Sequence, residues 1–264
     1  MKTYTSFQEL DALGEGLAKK YTGNTHRWNS SCFDIEGFIT DFLKLPILYE
    51  AFAEDDPSKI GFLSDGITPL IVYRAGKKTP VVFPKDTIVI ESFLQRSDES
   101  GRRRFTLAHE AAHFILNRHV PMQTACFHNE YDHEFHYSGE ELAKMFSLNE
   151  TLTNRLGAAV LMPPFLVGRA LKKYNNGQPI VYYTEGVFAP DTKIRLQSMS
   201  DALGVSYSAL INRLRELRLL ECRPIEEYID HALFPEKSIW FSMTHVSVHP
   251  ATRCSENWNC HAWK

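Results

Sequence analysis

The stretch Arg102-Arg103-Arg104-Phe105-Thr106-Leu107-Ala108-His109-Glu110-Ala111-Ala112-His113 governs how the rest of the chain is read. Leu107, Ala108, Ala111, Phe114, Ile115 and Leu116 give residues 103–118 the strongest helical pattern in the sequence. Asn117-Arg118-His119 then precedes Pro121, which predicts the helix end. On a helix His109 and His113 share one face, about one turn apart. Two imidazoles so placed can each turn one nitrogen to a single Zn²⁺ at ~2.0–2.1 Å. Glu110 points near such an ion without having to bind it, which suits a general base acting on water. This is the physical content of the HExxH pattern. Small Ala111 and Ala112 let a second element approach the histidines closely. An incidental exposed histidine pair is the competing reading, and the amphipathic setting argues against it.

A catalytic zinc takes a third protein ligand and keeps one position open. Three sources stand downstream. The segment 128–136 holds His128, Glu130, Asp132, His133, Glu134 and His136. It has the most ligand-capable groups, although a solvated loop over the site explains it as well. Glu140-Glu141 is a second source. Glu150 is a third, at the start of a helix with an apolar face, from which a carboxylate can be presented across the first helix.

Upstream, residues 5–21 predict a helix through Phe7, Leu10, Leu13, Leu17 and Tyr21, with Thr5 or Ser6 as cap. A Gly/Asn/Ser-rich loop at 22–31 leads to a second helix over 33–43. Four short β-rich runs follow at 46–50, 60–63, 69–73 and 86–90, predicting a small sheet of three to five strands. Downstream, helices are expected at 139–146, from Asn149 or Glu150 to Leu161, and on to Tyr174 beyond Met162-Pro163-Pro164. Residues 175–192 read as a break, and 195–219 as two short helices around Gly204-Val205-Ser206. The run Arg102-Arg103-Arg104 is expected to be a solvated hairpin tip.

Bulk properties exclude some classes. The 264 residues carry 29 basic and 32 acidic side chains, a net of −3, which argues against a general nucleic-acid or membrane binder. The five cysteines, at 32, 126, 222, 254 and 260, form no CxxC pair, so neither a disulfide framework nor a four-cysteine zinc knuckle is expected. The first residues lack the apolar core of a signal peptide, and no run approaches the ~18 apolar residues of a membrane span. A cytoplasmic location is therefore expected.

The zinc-helix segment resembles a pattern of the ImmA/IrrE family of metallopeptidases, close to R-x-R-F-T-L-A-H-E-x-G-H. That family's second pattern, close to E-x-x-A-N-x-F-A-A-x-L-L-M-P, is similar to Glu150-Thr151-Leu152-Thr153-Asn154-Arg155-Leu156-Gly157-Ala158-Ala159-Val160-Leu161-Met162-Pro163. Departures fall at Ala112 for Gly, Thr153 for Ala, and Leu156-Gly157 for Phe-Ala. None removes a ligand or the base. The resemblance spans about residues 1–220. It implies Zn²⁺ held by His109, His113 and Glu150, with Glu110 as general base. It further implies a zinc-dependent endopeptidase of the HExxH gluzincin type. Such proteins are regulatory proteases that cut a helix-turn-helix transcriptional repressor, often encoded next door on a mobile element or in a stress pathway.

The expected fold is α+β. A zincin-like metallopeptidase domain, 1–175, with a small β-sheet beside the HExxH helix, precedes a smaller helical region, 176–264, that resembles a helix-turn-helix and ends in a tail of uncertain structure. If the second helix of that motif entered a DNA groove, Tyr207, Ser208, Asn212 and Arg213 would face bases. Two packed helices with a Gly turn is the preferred reading. His119 and His136 are candidate oxyanion donors. Cys254, Cys260 and His261 fit no zinc module, and Trp240, Phe241, Trp258 and Trp263 read as packing residues. The alternative from another class is a zinc-binding regulator that acts on DNA or a partner with little proteolysis; the presence of Glu110 argues against it.

Overall fold

The computed structural model describes residues 6–25, 30–118, 126–129 and 148–233. Helix α1 (Phe7–Thr25) opens the chain. Ser6 Oγ accepts from the Glu9 backbone N–H while Glu9 reaches back to Ser6 N, both at 3.2–3.3 Å, so Ser6 is the cap. A short helix, α2 (Ile35–Gly37), runs into a π-helical stretch, Phe38–Leu43, and packs Phe33 and Phe38 around Tyr21 of α1.

The strands read from the sequence are β1 (Ile47–Glu50), β2 (Lys59–Leu63), β3 (Leu70–Arg74) and β5 (Ile88–Glu91). Between them β4 (Lys77–Val81) forms a hairpin with β3, turning through Ala75 and Gly76 at φ 51° and 76°. A four-stranded sheet has the order β1-β5-β2-β6, with β6 at Cys126–Asn129. β1 runs parallel to β5, and β2 runs antiparallel to both β5 and β6.

Alternation along the strands places this sheet between two layers. Ile60, Ile88 and Ile90 face the main core, whereas Phe62 and Val89 face a smaller cluster with Leu70, Val72 and Phe83 from the hairpin region. The main-core face is covered by α3 (Ser100–Asn117). Every residue of α3 from Thr106 to Leu116 is buried, because the sheet flanks it on one side and α4 (Leu148–Leu161) on the other. A helix buried this way needs small side chains at its contacts. At Gly157 of α4 a Cβ would lie 3.1 Å from the Ala108 carbonyl oxygen. On the outer face of α4, a Cβ at Gly14 of α1 would lie 2.6 Å from Ala159 Cβ. Gly157 and Gly14 thus allow three helices to stack closely, which carries the first turn of α4 to the histidines.

Arg102, Arg103 and Arg104 are not a hairpin tip. They lie near the N-terminus of α3 and are half-buried. Arg102 pairs with Glu99 at 3.1 Å, Arg103 donates to the Leu94 carbonyl at 3.1 Å, and Arg104 donates to the carbonyls of Gly204 (2.9 Å) and Phe33. Arg103 and Arg104 thus satisfy backbone carbonyls of three other segments.

Beyond α4, Pro163 and Pro164 set the start of α5 (Pro164–Asn175). Strand β7 (Ile180–Tyr183) lies within the expected break and pairs in parallel with β8 (Leu220–Arg223). Between them, α6 (Pro190–Leu203) and α7 (Tyr207–Glu216) form the helix-turn-helix-like unit. Gly204 takes the left-handed conformation at φ 66°, and Ser206 Oγ accepts from Ala209 N at 3.2 Å, as the Gly and Ser predict. Helix α8 (Ile225–Leu233) follows. Leu196, Met199, Leu203, Leu210 and Leu214 join the same core cluster as Leu10 and Leu107. Among the described residues, no helix is long and apolar enough to cross a membrane.

Candidate metal centre

The periodicity of α3 places His109 and His113 on one face, their ring centroids 4.6 Å apart, and both are fully buried. The first turn of α4 presents Glu150 to them. Its Oε2 lies 3.3 Å from His109 Nε2 and its Oε1 lies 3.4 Å from His113 Nε2. One ligand atom from each of the three residues falls within 4.8 Å of the others. Two ligands of a tetrahedral zinc, each ~2.0–2.1 Å from the ion, would be separated by about 3.3 Å. Both Glu150 contacts have that separation.

Burial makes His113 a poor partner for an ordinary ion pair with Glu150. Burial, and then the neighbouring His109 ring, hold the His113 imidazole down to about 2, far below its usual 6.5. A neutral His113 brings no positive charge to the Glu150 carboxylate. Among the described residues, His113 Nε2 has no hydrogen-bond partner. Its lone pair and the Glu150 oxygens converge, an arrangement that a divalent cation stabilises and that an apolar filling would not.

The opposite edges of the rings are held by the same helix that supplies Glu150. His109 Nδ1 lies 2.8 Å from Asn154 Oδ1, and His113 Nδ1 lies 3.3 Å from Thr153 Oγ1. Asn154 Oδ1 can only accept, which sets the proton of His109 on Nδ1 and its lone pair on Nε2; the Thr153 hydroxyl can accept from His113 Nδ1 in the same way. Glu150, Thr153 and Asn154 stand at i, i+3 and i+4, a single helix face. That spacing after a candidate ligand carboxylate is a readable signal, yet the sequence reasoning assigned no role to Thr153 or Asn154.

Glu110 is fully buried on α3, and neither carboxylate oxygen has a hydrogen-bond partner among the described residues. Burial, and then repulsion from Glu150, push its pKa well above the usual carboxylate value of 4.5. Its wall is strand β2. A Cβ added at Gly61 would lie 2.5 Å from Glu110 Oε1, so glycine is what lets the strand and the carboxylate share this space. Gly61 is a second feature of the site that the sequence reasoning did not single out.

Of the three sources considered for a third ligand, the structure brings Glu150 to the histidines. Glu130, Asp132, His133, Glu134, His136 and the pair Glu140-Glu141 lie outside the described residues, as do His119, Cys254, Cys260, His261 and the tail tryptophans; His128 lies in β6. The helix-turn-helix-like unit is tied into the body of the protein at Arg213. This side chain is only 1% exposed. It donates from Nε to the Met162 carbonyl at 3.0 Å and pairs with Asp11 at 2.6 Å and Glu216 at 3.0 Å. Arg213 therefore faces the interior and not a groove, while Ser208 and Asn212 are exposed.

Residues 89–215 match the sequence pattern of a peptidase family described as the IrrE N-terminal-like domain, which contains both helices of the centre. No curated protein and no solved structure matches the chain.

Proposed function

We propose that the chain, whose residues 89–215 match the IrrE N-terminal-like domain, is a zinc-dependent endopeptidase. In this reading His109, His113 and Glu150 hold the ion, and Glu110 is the general base. The observation that carries it is the buried Glu110 beside a convergent His-His-Glu group. A purely structural metal would have no use for a carboxylate left without a hydrogen-bond partner at such cost in burial.

The division of labour follows from the side chains. Thr153 and Asn154 orient the imidazoles. Glu150 contributes a negative charge that offsets part of the ion's charge. The ion, when bound, supplies Lewis-acid activation of water and of the scissile carbonyl. Glu110 takes the proton from the attacking water and hands it to the leaving amine, a role that suits a carboxylate whose pKa burial has raised. Strand β2, interior to the sheet, and the buried α3 exclude bulk water from the base.

The substrate we propose is a protein, by family likeness a helix-turn-helix transcriptional repressor, which would make the enzyme a cytoplasmic regulatory protease. The helical region beyond residue 175 is proposed as a smaller unit joined to the peptidase domain. Burial of Arg213 supports a packing role for α7 over DNA contact. The test is to load wild type and Glu110→Gln with zinc and incubate each with a repressor encoded beside the gene. Fragments from wild type alone support the proposal. No fragments from either, together with equal effects on DNA occupancy, would refute it in favour of a zinc-binding regulator.

A further inference from the structure

We propose that Thr153 is a positioning residue of the metal centre. Its hydroxyl oxygen accepts the Nδ1 proton of His113 and thereby holds the His113 Nε2 lone pair toward the metal position. This inference rests on the reading of His109, His113 and Glu150 as metal ligands.

The geometry comes first. Thr153 is fully buried, as is His113, and Thr153 Oγ1 lies 3.3 Å from His113 Nδ1. The imidazole must carry its proton on Nδ1 if Nε2 is to offer a lone pair, and a buried N–H needs an acceptor. Among the described residues, Thr153 is the acceptor the structure supplies. A residue without a side-chain oxygen at this position would take that acceptor away from the buried N–H.

Threonine is a poorer helix former than alanine, and its hydroxyl has to be satisfied when buried. Asn154 already orients His109 from the same turn. Thr153 extends the same device to the second histidine. One face of α4 then provides a ligand at position 150 and an orienting acceptor for each imidazole at 153 and 154.

Removing an orienting partner of a metal-bound histidine typically weakens metal binding by roughly 10–100-fold. The Thr153 contact is longer than the 2.8 Å Asn154 contact, so the lower end of that range is expected. The test uses the full chain, stripped of metal and titrated with Zn²⁺ against a competing chromophoric chelator. Thr153→Ala and Thr153→Val should each bind zinc roughly tenfold more weakly than wild type. Thr153→Ser, which restores the oxygen, should return to near wild-type affinity. Circular dichroism of metal-free Thr153→Ala and Thr153→Ser should show the wild-type fold at the titration temperature, which separates orientation from a folding defect. With ¹⁵N-labelled histidine, zinc-loaded wild type should show a slowly exchanging Nδ1 proton on His113 that exchanges rapidly in Thr153→Ala. If wild type binds zinc and Thr153→Ala binds it equally well, or if His113 is metallated through Nδ1, the role of Thr153 is overturned and the metal centre stands. If wild type binds no zinc, both are overturned.

Discussion

Replacing Gly61 by alanine tests how the base is held. The new Cβ would stand 2.5 Å from Glu110 Oε1 and 2.7 Å from Thr106 Cγ2. Ordinary contacts between such atoms lie near ~3.5 Å, so roughly 1 Å must be found. Thr106 gives little, because a β-branched side chain is stiff on a helix and its hydroxyl is bonded to the Arg102 carbonyl at 3.0 Å. The strand gives little either, being paired on both sides by β5 and β6. Glu110 is the softest neighbour and takes most of the displacement. Overpacking of this kind costs about 1–3 kcal/mol. For a chain of this size that lowers the melting temperature by roughly 2–4 °C per kcal/mol. Displacing a catalytic group by ~1 Å costs on the order of 10²-fold in rate. Zinc affinity should change far less, since Gly61 touches the base and not the ligands. The assays are thermal melting, zinc titration and turnover of a denatured protein such as casein. A Gly61→Ala variant with wild-type turnover and an unchanged midpoint would show that Glu110 is not confined by β2.

Further outcomes follow from the same geometry. Gly14→Ala should destabilise the protein although alanine favours helices, because its Cβ meets Ala159 at 2.6 Å and the Ala159 backbone carbon at 2.9 Å; chemical denaturation reads this, and a stabilised variant would contradict the close α1–α4 contact. Arg213→Ala should cost about 3 kcal/mol by leaving Asp11, Glu216 and the Met162 carbonyl underpaired, measured by urea unfolding; a change within 0.5 kcal/mol, the usual range for surface sites, would place the side chain in solvent. In metal-free protein Glu110 keeps its proton above 4.5, so its contribution to stability is lost as pH rises beyond that value. Metal-free wild type should therefore lose stability relative to Glu110→Gln on going from acid to neutral pH, and parallel pH profiles would refute the raised pKa. His113 acts in the opposite direction. Its neutral form is favoured down to about 2, so its contribution is complete above 6.5 and declines as pH falls below that value, which an acid titration of metal-free wild type against His113→Gln would detect.

The sequence reading succeeded where one local rule dominates. Histidines at i and i+4 inside an apolar helix leave little freedom, and the Gly204 and Ser206 signals at the α6–α7 turn describe purely local chemistry. It failed where a partner far along the chain decides. Arg102–Arg104 look like a solvated run until Phe33, Leu94 and Gly204 bring carbonyls to them. Strand β4, Lys-Lys-Thr-Pro-Val, has no apolar alternation because it is a largely exposed edge, on which lysine and proline are at home. Strands β7 and β8 are four residues each and join in parallel across 40 positions (Ile180 opposite Leu220), so neither carries a hairpin signal. At the centre, Glu150 needed the family pattern to be chosen over its acidic and histidine competitors. The contacts of Thr153, Asn154 and Gly61 with the centre appear only when α4 and β2 are brought against α3.

Metal stoichiometry tests the central claim most directly. The chain should be stripped with chelator, titrated with Zn²⁺ by calorimetry, and its loaded form examined by X-ray absorption at the zinc edge. One zinc per chain is predicted, with two imidazole nitrogens and a carboxylate oxygen in its shell. Binding should persist in Glu110→Gln and fall sharply in His113→Ala and Glu150→Ala. A wild-type chain that binds no zinc, or binds it equally well after both of those alanine substitutions, would contradict the account.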